Sequence, residues 1–135
     1  MDRDKLRQEC IKRQRGLCVM CGHGVEDDAA VHEAIVKRSD LPDDDRIFEP
    51  WNCVAVHNSN PGCDFPHDPW GNTRWYDEVC AAYLIQAHGA DYLAERIREL
   101  GMTIWTSRMQ AIFALMDKSN KNCASANTSI DQKNP

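Results

Sequence analysis

The sequence predicts an α+β domain with a metal-binding core, a helix before that core and a helical extension after it. Three observations lead there. Apolar residues recur at helical steps near the N-terminus and again from about residue 73 onward. The segments 30–38 and 51–57 are rich in Val, Ile and Ala, a strand-forming composition. Between the first helix and the first strand lies a paired-cysteine turn, Cys18-x-x-Cys21.

The first segment reads as a helix of about three turns. Asp2 or Asp4 caps it, Leu6, Cys10 and Ile11 form a short apolar stripe, and Gly16 stops it. The cysteine turn and the acidic stretch 25–28 lead into the first strand, around Val31, Ile35 and Val36. Residues 39–46, with Pro42 and four aspartates, predict an exposed loop. In the second strand, alternation places Asn52, Val54 and Val56 on one face and Cys53, Ala55 and His57 on the other. Residues 58–72 are dense in turn formers. A long helix follows from about Thr73, with Trp75/Tyr76, Val79/Cys80 and Tyr83/Leu84 inward, and ends at Gly89. A second covers roughly 91–100, with Tyr92, Leu93, Ile97 and Leu100 inward. A third starts near Ser107, spaced from Gln110 as a capping box requires, and buries Met109, Ile112, Phe113 and Met116. The aromatic residues Trp75, Tyr76, Tyr83, Tyr92 and Trp105 lie at helical spacings and therefore read as mostly core. The division expected is one domain over 1–117 (core about 17–88, C-terminal helices about 91–117) and a polar, disordered tail over 118–135.

At 135 residues the chain fits one domain and buries only about two thirds of its unfolded surface. No apolar run reaches the roughly 18 residues of a membrane span, so no membrane partner is expected. The charged start Met-Asp-Arg-Asp-Lys is unlike a secretion signal, so a cytoplasmic location is expected. The net charge of −5 argues against a purely electrostatic nucleic-acid binder. The charge is unevenly placed, with six bases against three acids in residues 1–16 and nine acids against three bases in 26–49. A basic first helix fits a phosphate backbone as well as it fits an ordinary solvated face.

Seven cysteines, an odd number including one C-x-x-C pair, favour metal binding over a disulfide framework. Cys18 and Cys21 can place both thiolates on one ion. His57 and Cys63 are candidates for the other two ligands, with Cys53 and His67 as rivals. A closed tetrahedral set is a structural zinc site, and in so short a domain it would supply much of the folding free energy. A redox C-x-x-C normally sits after a strand at a helix N-terminus, and this pair instead follows a helix.

His32 lies on the first strand, Asn52 begins the second, and His67 follows the turn-rich loop. With Cys18-x-x-Cys21, His32-Glu33-Ala-Ile-Val-Lys-Arg38, Asn52-Cys-Val-Ala-Val-His57 and Cys63-x-x-x-His67 in that order, residues 10–100 resemble the HNH endonucleases of the ββα-metal fold. Many members of that family are encoded by phages or prophages. The resemblance implies a zinc-anchored ββα core and a DNA endonuclease. His32-Glu33 matches the family's pair of metal ligand and general base, and either His32 is the base or His32 holds the ion and Glu33 is the base. Asn52 matches the asparagine that orients the base or reaches the metal, and His67 matches the last histidine, a ligand of the catalytic divalent ion. Cys18, Cys21, His57 and Cys63 would be the separate structural zinc set. The family's second knuckle is usually Cys-x-x-Cys-His, where this chain has His57, an insertion, Cys63 and then His67.

The implied cofactors are Zn2+ for structure and Mg2+, Mn2+ or Ni2+ for catalysis. The implied partners are DNA, contacted by Lys37, Arg38 and Arg74, and phage packaging proteins; the location would be the cytosol of a bacterial host. A base would activate water while the ion neutralises the scissile phosphate. Two other functions compete: a zinc-stabilised nucleic-acid-binding module without catalysis, and a zinc-knuckle adaptor for another protein.

Overall fold

The computed structural model describes residues 2–58, 62–101 and 109–118. They form an α+β arrangement in which a two-stranded antiparallel sheet is held between helices. Helix α1 (Arg3–Arg13) opens at Asp2, whose side chain accepts from the Asp4 amide and so satisfies one of the orphan donors of the first turn. It buries Leu6 and Cys10, as its stripe predicts. Gly16 (φ 76°) takes the left-handed conformation and donates its amide to the Ile11 carbonyl, which turns the chain away.

Strand β1 (Ala30–Glu33) pairs with β2 (Cys53–Val56), with His32 opposite Val54 and Glu33 opposite Cys53. All four β2 residues are buried. Cys53 and Ala55 face Leu6 and Cys10 of α1, whereas Val54 and Val56 join the larger core. Cross-strand partners share a face, so His32 lies on the large-core side and Glu33 on the α1 side.

The expected first strand is shorter than its composition suggests, because pairing stops at Glu33. The Asn52 side chain explains the stop. Its Oδ1 accepts from the amides of Ile35 (3.1 Å) and Val36 (2.8 Å), and its Nδ2 donates to the carbonyls of Val36 and Ile47, both at 2.8 Å. Backbone groups that would extend the ladder are thereby held by one buried amide. The acidic loop is largely exposed as expected, but Leu41 and Asp44 are half-buried and Asp40 is buried, accepting from the Lys37 amide. A 3₁₀ turn (Asp45–Ile47) then brings Ile47 into the core.

After the helical turn α2 (His67–Trp70), α3 (Arg74–His88) is capped by Thr73 and buries Tyr76, Cys80, Ala81, Leu84 and Ile85. Helix α4 (Ala90–Glu99) buries Ala90, Leu93 and Ile97. A further helical segment, 109–118, contributes Met109, Ile112 and Met116 to the same core. Its expected start near Ser107, Trp105 and the tail from residue 119 lie outside the described residues. Two aromatic expectations are corrected: Trp75 and Tyr92 are each 47% exposed. Tyr92 sits beside the apolar stripe, stacks on His88 (centroids 5.7 Å apart) and carries Arg96 over its ring.

Arg13 is also not a free surface cation. Its guanidinium donates to the carbonyls of Pro50 and Cys53 and to His88 Nε2, tying the end of α1 to β2 and α3. Among the described residues no helix is long and apolar enough to cross a membrane.

Candidate functional site

The paired cysteines sit in a tight turn. The Cys18 amide donates to the His23 carbonyl and the Gly22 amide to the Cys18 carbonyl, with Gly22 at φ 78°. Pairing of Leu17 with Gly24 closes the turn. This geometry aims both sulfurs the same way, toward His57 at the end of β2 and Cys63 in the following loop.

The ligand atoms of Cys18, Cys21, His57 and Cys63 all lie within 4.8 Å of one another. Cys21 Sγ is 3.3 Å from His57 Nδ1. Ligands about 2.3 Å (S) and 2.0–2.1 Å (N) from one tetrahedral ion lie roughly 3.6 Å apart, so the spacing suits a shared ion. His57 Nε2 is 2.7 Å from the Gly24 carbonyl. That carbonyl only accepts, so the proton sits on Nε2 and the Nδ1 lone pair is left toward the sulfurs. Burial pushes the Cys63 thiol up to about 12, and a cation is the partner that stabilises such a buried thiolate. The donor set and its support therefore fit a metal ion.

The rivals fall elsewhere. Cys53 is buried against α1 with its thiol on the Ile47 carbonyl, and Cys10 points at the Cys53 carbonyl. Burial pushes both thiols upward, Cys10 to about 11. Cys80 is buried against Met20.

A second cluster lies in an open cleft of about 370 Å³ lined by His32, Glu33, Lys37, Arg38, His67 and Asp77, among others. His32 reaches it from β1, His67 from the start of α2, and Asp77 from the first turn of α3. His32 Nδ1 is 3.0 Å from His67 Nε2, and His32 Nε2 is 2.7 Å from Asp77 Oδ1. Tyr76 stands edge-on to His32, with centroids 5.2 Å apart. Burial lowers the pKa of both histidines; at His67 the neighbouring His32 adds to the effect, whereas at His32 the Asp77 hydrogen bond opposes it. Both imidazoles are thus held toward the neutral form, the one that ligates metals.

His67 is also fenced from behind. A Cβ at Gly71 would lie 2.6 Å from its ring Cδ2 and Nε2. Gly71 has an ordinary helical φ of −61°, and the same Cβ would meet the His67 carbonyl oxygen at 2.7 Å, so both the ring and the backbone of His67 leave no room for a side chain there.

Of the residues expected in a site, His32, Glu33 and His67 meet in this cleft, and the four expected zinc ligands meet in the other cluster. Asn52 is fully buried and clamps the segment that follows His32 and Glu33. All four of its side-chain hydrogen bonds go to backbone, so it acts only through the segment that it clamps. Lys37 lines the same cleft, where its ammonium donates to Asp77 Oδ1 (2.6 Å) and to the Glu33 carbonyl. Arg38 keeps most of its guanidinium in solvent while its Nε donates to Glu33 Oε1 at 3.0 Å. Arg74 is exposed and pairs with Glu78 on α3.

Asp77 was the residue that the sequence reading missed. Its signal was present, since it stands three and seven residues before the buried Cys80 and Leu84, as an acid on the apolar side of α3. Compared with protein-family models, curated proteins and solved structures, the chain shows no significant match to any.

Proposed function

We propose that the protein is a metal-dependent DNA endonuclease of the HNH type, with a structural zinc on Cys18, Cys21, His57 and Cys63 and a catalytic divalent ion between His32 and His67. The observation that carries the reading is the 3.0 Å approach of His32 Nδ1 to His67 Nε2 in an open cleft. Two nitrogens about 2.1 Å from one octahedral ion, at right angles to each other, lie roughly 3 Å apart. A water bridging an ion on His67 to a base on His32 would need a wider gap. The order of elements, β1 with its histidine, β2 preceded by its asparagine, then a helix, supports the reading as a ββα-metal core.

Within this reading, the hydrogen bonds of His32 favour Glu33 as the base of the His-Glu pair. His32 has one nitrogen on Asp77 and the other on His67, so no lone pair is left for a proton from water. Asp77 is held by His32 and Lys37. Glu33 points to the α1 side of the sheet but also lines the cleft, where it is the remaining carboxylate, and we assign it as general base, held by Arg38. Water gives its proton to Glu33 as its oxygen bonds to phosphorus and the P–O3′ bond breaks. Mg2+, Mn2+ or Ni2+ bound here would supply charge neutralisation on the phosphate and the leaving oxygen. The exposed N–H groups of Arg38 would hold a neighbouring phosphate oxygen, with Arg74 a further contact on the same strand.

The test is cleavage of supercoiled plasmid by zinc-loaded protein, with magnesium, manganese or nickel added in turn. His67→Ala and Glu33→Gln are expected to abolish ion-dependent nicking, and Glu33→Gln is expected to keep ion binding. No cleavage with any ion from folded, zinc-loaded protein would overturn the nuclease. Retained DNA affinity in that case would favour the non-catalytic binding module.

A further inference from the structure

We infer that Asp77 is a positioning residue that fixes which nitrogen of His32 faces the cleft, leaving His67 as the histidine that rearranges when an ion enters. The inference rests on the reading of the cleft as an ion site. Asp77 is 3% exposed, and one oxygen, Oδ1, meets both His32 Nε2 at 2.7 Å and Lys37 Nζ at 2.6 Å. A carboxylate oxygen only accepts, so the proton of neutral His32 sits on Nε2 and Nδ1 is bare. Lys37 lies 3.5 Å from the same Nε2, and an ammonium, which only donates, cannot bond to a nitrogen whose lone pair is in the ring system.

The bare Nδ1 has a consequence for its partner. His67 Nε2 lies 3.0 Å from it, so His67 supplies the hydrogen and carries its own proton on Nε2. His32 then presents its ligand lone pair with or without an ion. His67 can ligate through Nε2 only after its proton has moved to Nδ1. Asp77, His32 and the ion would form the carboxylate–histidine–metal arrangement that fixes ring orientation and raises ligand basicity. Lys37 completes the support, because it balances a buried charge and ties Asp77 to the Glu33 carbonyl.

The experiment uses the full chain loaded with structural zinc and labelled with 15N-histidine. Two-bond proton–nitrogen correlation spectra report the tautomer of each ring, before and after a second equivalent of zinc is added as a diamagnetic probe. His32 is expected as the Nε2–H form throughout, and His67 is expected to change from Nε2–H to Nδ1–H. Asp77→Asn keeps the shape but can donate to Nε2. It is expected to move the His32 proton to Nδ1 and weaken Mn2+ binding, followed by electron paramagnetic resonance, about ten- to a hundredfold. A wild-type His32 protonated on Nδ1 overturns the inference even where the variant does not fold. So does a folded Asp77→Asn protein with unchanged tautomer and unchanged Mn2+ affinity. Wild-type protein that takes up no second ion overturns the reading of the cleft and the His67 rearrangement, and the His32 tautomers still decide the part of Asp77.

Discussion

Asn52 offers the most direct test of how one side chain shapes the first strand and the turn after it. Replacing it with alanine removes two accepted and two donated hydrogen bonds, at 3.1, 2.8, 2.8 and 2.8 Å, inside a fully buried site. At about 1 kcal/mol net per bond the loss is about 4 kcal/mol, roughly a thousandfold in the folding equilibrium. Urea unfolding of zinc-loaded protein, followed by far-ultraviolet circular dichroism, measures it. Asn52→Asp keeps the two accepted bonds but turns a charged oxygen toward the carbonyls of Val36 and Ile47, so it is expected to cost at least as much. A loss under about 1 kcal/mol in Asn52→Ala, with an unchanged spectrum and slope, would refute the clamp, because water or relaxed backbone would then be doing its job.

Three further outcomes follow from the same geometry. Cys18→Ser or Cys63→Ser is expected to abolish folding at ordinary zinc levels, and cobalt substituted into wild-type protein should give the visible absorption of a tetrahedral thiolate site that neither variant shows. Gly71→Ala should displace the His67 ring and, because the new Cβ also meets the His67 carbonyl at 2.7 Å, lower stability as well; the checks are Mn2+ binding, expected to fall at least tenfold, and a urea midpoint that falls with it. His88 has its pKa lowered, chiefly by burial and then by the Arg13 cation. Its unfolded form therefore binds more protons, its stabilising contribution is present above about pH 6.5, and that contribution fades as pH falls below this value. His88→Gln is expected to flatten the stability profile in that window.

The parts of the fold legible in the sequence are those in which local spacing decides the outcome. Asp2 caps α1, the C-x-x-C pair closes its own turn, and Leu6 and Cys10 fall on one face because the helix repeat puts them there. The metal set needed one longer step, from the turn to His57 and Cys63, and the position of His57 at the end of a strand made that step readable. What stayed illegible depends on residues distant in sequence. Asn52 looked like a ligand or an orienting group because its partners, Ile35, Val36 and Ile47, are reached only once the chain has folded back. The ion pair of Lys37 is hidden for the same reason, since its carboxylate partner is 40 residues away on α3. Tyr92 and Trp75 were misplaced because helical spacing marks a broad stripe and does not say where its edge meets solvent.

His57 and His67 stand at the two ends of one loop, and the His67 amide donates to the His57 carbonyl at 2.7 Å. That loop carries half of the Cys/His cluster and one wall of the cleft. The two centres are thus mechanically in series. Pulling an ion from the sulfur site would release the loop, and His67 would drift from His32 before the helices melt. On the proposed reading of the two clusters, a chain starved of zinc would fall silent as a whole and would not persist as a cutter with a loosened frame. Stepwise chelation, with His67 ring signals lost ahead of helical dichroism, is the order of events that this linkage dictates.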